Sequence, residues 1–111
     1  MKPDFFDESA LKRRKEKKKE LHEIWRKKEL DDFKKVLSIP EGRRVLWRIL
    51  EEAHVFKTTF TGNSTTFFNE GKRSIGLMVL DEVMKASPEK FQQMQNEFTN
   101  EQKTRAKLLE E

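Results

Sequence analysis

A chain of 111 residues, 40% charged and 34% hydrophobic with a formal net charge of +4, can hold one small core at most and must leave part of its length unburied. It has no cysteine, which excludes a disulfide scaffold, a zinc ribbon and thiol chemistry. No window approaches the roughly 18 apolar residues of a membrane span, and MKPDFFDES lacks the apolar stretch of a secretory signal.

Residues 1–36 carry 13 Lys/Arg and 9 Asp/Glu, and residues 37–111 carry 11 of each, so the whole positive excess sits in the first third. Residues 1–6 are expected to be loose, with Phe5 and Phe6 at the tip. Asp7 or Ser9 can cap a helix that runs to about Val36. Its first half is almost all charge and has no face to bury. Such a segment needs an acidic partner or its own i,i+4 pairs, for which Lys12–Glu16, Lys19–Glu23 and Glu23–Lys27 have the right spacing. From Leu21 onward Leu21, Ile24, Trp25, Lys28, Asp32, Phe33, Val36 and Leu37 form a helical stripe with two charged interruptions.

LSIPEG follows. Ser38 with Glu41 matches a capping box and Pro40 suits a first helical turn, so a second helix is expected from about Ile39. Val45, Leu46, Ile49, Leu50 and Ala53 line one face, with Trp47 off it. Val55 to Phe67 is rich in Thr and Phe and reads as an ordered loop that tucks Phe56 and Phe60 into the core. A third helix covers about Phe67 to Lys85; it is apolar nearly all round and so expected to be central. Ser87, Pro88 and Glu89 start a last helix, with Phe91, Met94, Phe98 and Gln102 at helical spacing. The expected fold is all-α: a basic N-terminal helical arm (residues 1–36), then a small helical domain of about three helices with a Phe/Thr-rich loop (residues 37–111).

Two of the four glycines lie in the same setting, Glu41-Gly42-Arg43-Arg44 and Glu70-Gly71-Lys72-Arg73. A helical glycine costs about 1 kcal/mol against alanine and is tolerated where a backbone must come close. One reading places Gly42 and Gly71 in first turns against neighbouring helices, with Gly76 as another notch; a leucine at Gly71 would then overpack. The other makes both first turns anion sites, with free amides and Arg43, Arg44, Lys72 and Arg73 around a phosphate or carboxylate.

No catalytic motif is present. Eight residues separate Gly62 from Gly71, where a P-loop needs four, and Arg73 stands in place of its Ser or Thr. His22 and His54 are 32 residues apart and make no metal pair, so neither metal nor cofactor is expected. Paired acids such as Asp31-Asp32 and Glu51-Glu52 are adjacent on a helix and diverge. The strongest signal is Lys12, Arg13, Arg14, Lys15, Lys17, Lys18 and Lys19, seven cations in eight residues. They suit DNA, RNA or an acidic protein surface. A solvated helix face is the bland alternative. No aromatic interleaves the run, so contact with nucleic acid would be to phosphates, without base stacking. Engaging four to six cations predicts a log–log salt slope near about −4 to −5.

The segments IPEGRRVLWRILEEAHVF, FNEGKRSIGLMVLDEV and SPEKFQQMQNE, within Ile39 to Glu97, resemble a group of short proteins of tailed bacteriophages, mostly podoviruses, encoded among head and tail genes. The resemblance implies a non-enzymatic virion or virion-assembly protein, associated with the portal or ejected with the genome. It would reside in the virion and, during assembly, in the host cytoplasm. Its partners would be portal, head–tail or ejection proteins and packaged DNA, within an oligomer or larger assembly. An accessory nucleic-acid-binding phage protein outside the virion is the alternative. The basic arm lies outside the resembling region.

Overall fold

The computed structural model describes residues 7–111 of the chain; the expected loose tip with Phe5 and Phe6 lies outside them. Four helices follow one another: α1 (Glu8–Leu37), α2 (Pro40–Glu52), α3 (Thr65–Ala86) and α4 (Pro88–Glu110). The three helices expected after the basic one are all there, and no strand occurs among the described residues.

Local signals place the ends. Asp7 caps α1, its carboxylate accepting the Ser9 amide at 3.0 Å. Pro40 and Pro88 open α2 and α4 at a position where no amide hydrogen is needed. The Ser38 capping box does not form. Ser38 instead closes α1, its hydroxyl donating to the Lys35 carbonyl at 2.6 Å, and the extended Ile39 precedes α2 without a side-chain cap. Only two residues separate α1 from α2, so Ser38 serves the orphan carbonyls of the first helix and cannot also face the second. Asn63 starts α3, its Oδ1 accepting the Thr65 amide at 2.9 Å. At the end of α2, the Val55 and His54 amides donate to the Leu50 and Glu51 carbonyls, with His54 at a φ of 60°. This is a Schellman closure with histidine where glycine is usual.

The core is Leu37, Trp47, Leu50, Ala53, Val55, Val83, Ala86 and Met94, with Leu30, Phe33, Leu46, Val79, Leu80, Phe91 and Phe98 packed around it. Leu37, Leu50, Val83 and Met94 are the largest fully buried side chains; each contributes about 1.5–3 kcal/mol. α3 packs against all three other helices, as α2 does, but it is not enclosed in the way its sequence predicts: Ile75, Leu77, Met78 and Met84 are exposed.

Three sequence expectations fail, two of them on helical phase. On α2 the inward residues are Gly42, Arg43, Trp47 and Leu50, while Val45 and Ile49 are exposed. Trp47 wins because three phenylalanines receive it: Phe56, Phe91 and Phe98 lie 5.2, 6.1 and 5.2 Å from it, ring centre to ring centre. On α1, Leu30, Phe33 and Leu37 face the core, whereas Leu21, Ile24, Trp25 and Val36 are exposed. In the loop, Phe56 stacks on Trp47 but Phe60 is 75% exposed. Val55 and Thr59 are buried there instead, and the Thr59 hydroxyl bonds the Glu70 carboxylate.

The molecule measures 81 × 39 × 17 Å with a radius of gyration of 21.4 Å, against about 13 Å for a globular domain of this length. Helix faces turned away from the core are left uncovered: Val45 on α2 and Ile75 and Met78 on α3 are exposed. The accessible surface is 9302 Å², whereas a globular monomer of 13.3 kDa exposes about 6,500 Å².

Candidate polyanion-binding arm

The last third of α1 is anchored. Arg26 Nη2 donates to Glu82 Oε1 on α3 at 2.8 Å, and Nη1 lies 2.6 Å from Oε2. Only the first of these contacts is a hydrogen bond; Glu82 Oε2 is buried without one, and Nη1 donates instead to Glu29 at 3.1 Å. Hydrogen bonding to Glu82 raises the pKa of Arg26 further. Before Arg26 nothing on α1 is buried. Residues 8–25 thus form a free rod of about 27 Å, at 1.5 Å per residue.

The seven cations lie on this rod and all are exposed. Among the described residues none of them comes within 4.0 Å of a carboxylate, and the expected i,i+4 pairs with Glu16 and Glu23 are not made. Arg13 makes one weak contact, Nε to the Ser9 carbonyl at 3.4 Å. At 100° per residue the cations point around the whole helix circumference. Lys15, Lys19, Lys12 and Arg13 share one side, and Lys17 lies at its margin. One polyanion face therefore meets four or five of the seven.

The two glycine–basic blocks are not brought together and are not alike. Gly42 lies in the first turn of α2 and is buried; a Cβ there would strike the carbonyl oxygen of Val36 on α1. Arg43 is 6% exposed. Its Nη1 donates to the Leu37 carbonyl and its Nε to Glu97 on α4, both at 2.9 Å. It thus ties α1, α2 and α4 together through two of its three nitrogens. Arg44 is exposed, 3.8 Å from Glu41. Gly71 stands two turns into α3, exposed, and a Cβ added there would meet nothing within 4 Å. Neither sequence reading applies there: no neighbour packs on Gly71, and its amide is already bonded within the helix. Lys72 lies 3.9 Å from Glu52 and 4.9 Å above the Phe68 ring; Arg73 is half-buried. Gly76 is a true notch, its Cβ direction ending 2.5 Å from Ala53 Cβ.

Sequence reasoning placed Arg43 at a candidate anion site and missed its role as a buried tie between helices. The available signal was Arg43, Trp47 and Leu50 at i, i+4 and i+7. Arg43→Ala is expected to cost about 2–3 kcal/mol, read from the urea midpoint. That is below the cost of breaking a fully buried pair, because Glu97 keeps contact with water.

The model of the family described as Bbp19-like phage protein matches residues 33–96. The chain belongs to this family of phage proteins. No curated protein and no solved structure matches it. The matched span begins at Phe33 and ends two residues after Met94, so it takes in the buried core, both glycine–basic blocks and Arg43 with its Leu37 acceptor, but stops one residue short of Glu97. The basic rod and the far half of α4 lie outside it. Among the described residues no helix is long and apolar enough to cross a membrane, and no cluster of His, Cys, Asp or Glu is arranged to hold a metal ion.

Proposed function

We propose that this phage protein is a non-enzymatic component of the virion or of its assembly, acting beside the portal or leaving with the genome, and that its basic arm contacts DNA phosphates. The observation that carries this reading is the projecting rod with seven exposed cations and, among the described residues, no carboxylate partner for any of them. A cation attracts a polyanion most when it is not already neutralised. The distribution of the seven around the helix favours DNA over an acidic protein surface. A flat acidic face meets one side of a rod, whereas closely packed duplexes meet it on several sides. The thin, extended body supports a place within a larger assembly, because its uncovered faces suit neighbours.

Mass spectrometry of purified virions tests the location. The protein is expected among the virion polypeptides, at constant copy number across preparations. Its absence from virions, with abundance in the infected cell, would point instead to an accessory nucleic-acid-binding role.

A further inference from the structure

Along the outer side of the first half of α3 runs a face without a charge. Phe67, Phe68, Gly71, Ser74, Ile75 and Met78 are all exposed. At 100° per residue they share about 120° of the helix circumference. In a chain that is 40% charged, an uncharged stripe of this width is what a helix presents to a packing partner. The charges at its borders are already engaged. Glu70 accepts from the Thr59 hydroxyl, Asp81 lies 2.8 Å from Lys85, and Lys72 lies 3.9 Å from Glu52. The face stops at Glu82, where Arg26 of α1 docks. From Phe67 to Met78 it is open over about 16 Å, at 1.5 Å per residue.

We propose that this face is a dimer interface, on which α3 packs antiparallel against α3 of a second copy. The pattern of the face selects its occupant. Phe67, Gly71, Ser74 and Met78 stand at i, i+4, i+7 and i+11 and run large, small, small, large. Read backwards, the order and the spacing are the same. An antiparallel copy therefore sets Phe67 of one chain against Met78 of the other, and Gly71 against Ser74. On the adjoining flank it sets Phe68 against Ile75, and two-fold symmetry repeats every pair. Rings meet thioethers at the ends, a favourable contact. In the middle small meets small, which lets the helix axes approach to about 8 Å. Gly71 thereby gains a packing role that it lacks in the monomer. Phe67, Phe68, Ile75 and Met78 are 81, 64, 60 and 55% exposed. At about 200 Å² for each whole side chain, a symmetric pair buries roughly 1,000 Å² of apolar surface, the least that a specific interface needs. The contact is accordingly modest, with a Kd on the order of 10–100 μM. Both copies use the same surface, so association closes at two. The interface is separate from the basic arm. Its test uses purified protein without DNA or virions, so the two readings can fail apart.

Sedimentation equilibrium from about 1 μM to 1 mM, a range that brackets the expected Kd, reads the contact. Wild type is expected to rise from the 13.3 kDa monomer to twice that mass and go no further. Phe67→Lys and Met78→Glu each place two charges in the interface, and each variant alone should stay monomeric. Both positions are exposed, so circular dichroism should match wild type. A 1:1 mixture of the two should dimerise, because one lysine then faces one glutamate while the second Phe67–Met78 pair is intact. Gly71→Ala separates association from folding. Its methyl group meets nothing within 4 Å in the monomer, yet it enters the closest approach of the two helices and should weaken the dimer about tenfold. Wild type that remains monomeric throughout would overturn the proposal, as would growth beyond the dimer. Single variants that associate like wild type, a mixture that stays monomeric, or a Gly71→Ala protein that dimerises as tightly as wild type would equally overturn it.

Discussion

Gly42→Ala is expected to destabilise the protein by about 3 kcal/mol, while Gly71→Ala raises stability by up to about 1 kcal/mol. The two substitutions are chemically identical and fall in nearly identical sequence, so the opposite signs come from position alone. At Gly42 the new methyl group meets the Val36 carbonyl oxygen and carbon, which are backbone of α1 and cannot rotate away. Relief requires the α1–α2 corner to open. That corner also carries Leu37, fully buried, and the Arg43 clamp onto the Leu37 carbonyl. At Gly71 nothing lies within 4 Å, and alanine reduces the freedom of the unfolded chain while favouring the helix. A loss of about 3 kcal/mol corresponds to a fall in Tm of about 12 °C or more for a domain near this size. Thermal melts followed at 222 nm read both. Equal melting temperatures for Gly42→Ala and wild type would show that the corner is looser than described.

Replacing Lys12, Arg13, Arg14, Lys15, Lys17, Lys18 and Lys19 together by glutamine is expected to weaken binding to double-stranded DNA by at least about 100-fold at moderate salt, with no loss of thermal stability. Each phosphate contact releases condensed counterions, and this term supplies nearly all of non-specific affinity. Glutamine keeps helix propensity close to that of lysine and arginine. None of the seven residues packs on the core, so the body around Leu37, Leu50, Val83 and Met94 should melt unchanged. Anisotropy of a labelled duplex measures the first effect and a thermal melt the second. A lower Tm in the variant would mean that the rod supports the fold and would undo its description as a free arm.

Much of the fold was legible in residues with unambiguous local roles. Pro40 and Pro88 fix two helix starts because their missing amide hydrogen is tolerated only there. The charge of residues 12–19 announces an exposed segment because nothing in a core this small could neutralise it. The misreadings share one cause: they concern which partner arrives from elsewhere in the chain. Trp47 looked peripheral until Phe56, Phe91 and Phe98 closed on it. Arg43 has the sequence signature of a surface cation, and its burial is tolerable because Glu97, 54 residues away, and the Leu37 carbonyl both accept from it. The echo of Glu-Gly-basic-basic misled because a helix gives identical letters different meanings at different depths. In the first turn Gly42 faces the preceding helix, while two turns into α3 Gly71 faces solvent.

The central claim is that the arm engages phosphates and does so without reading bases. It is tested most directly by the affinity of the full chain for a random-sequence duplex, titrated across salt. With four or five of the seven cations on one side of the rod, a plot of log affinity against log salt should fall with a slope of about −4. The slope should not change when the duplex sequence is changed. A wild-type chain that fails to bind at low salt, or binds with a slope near zero, would contradict the account.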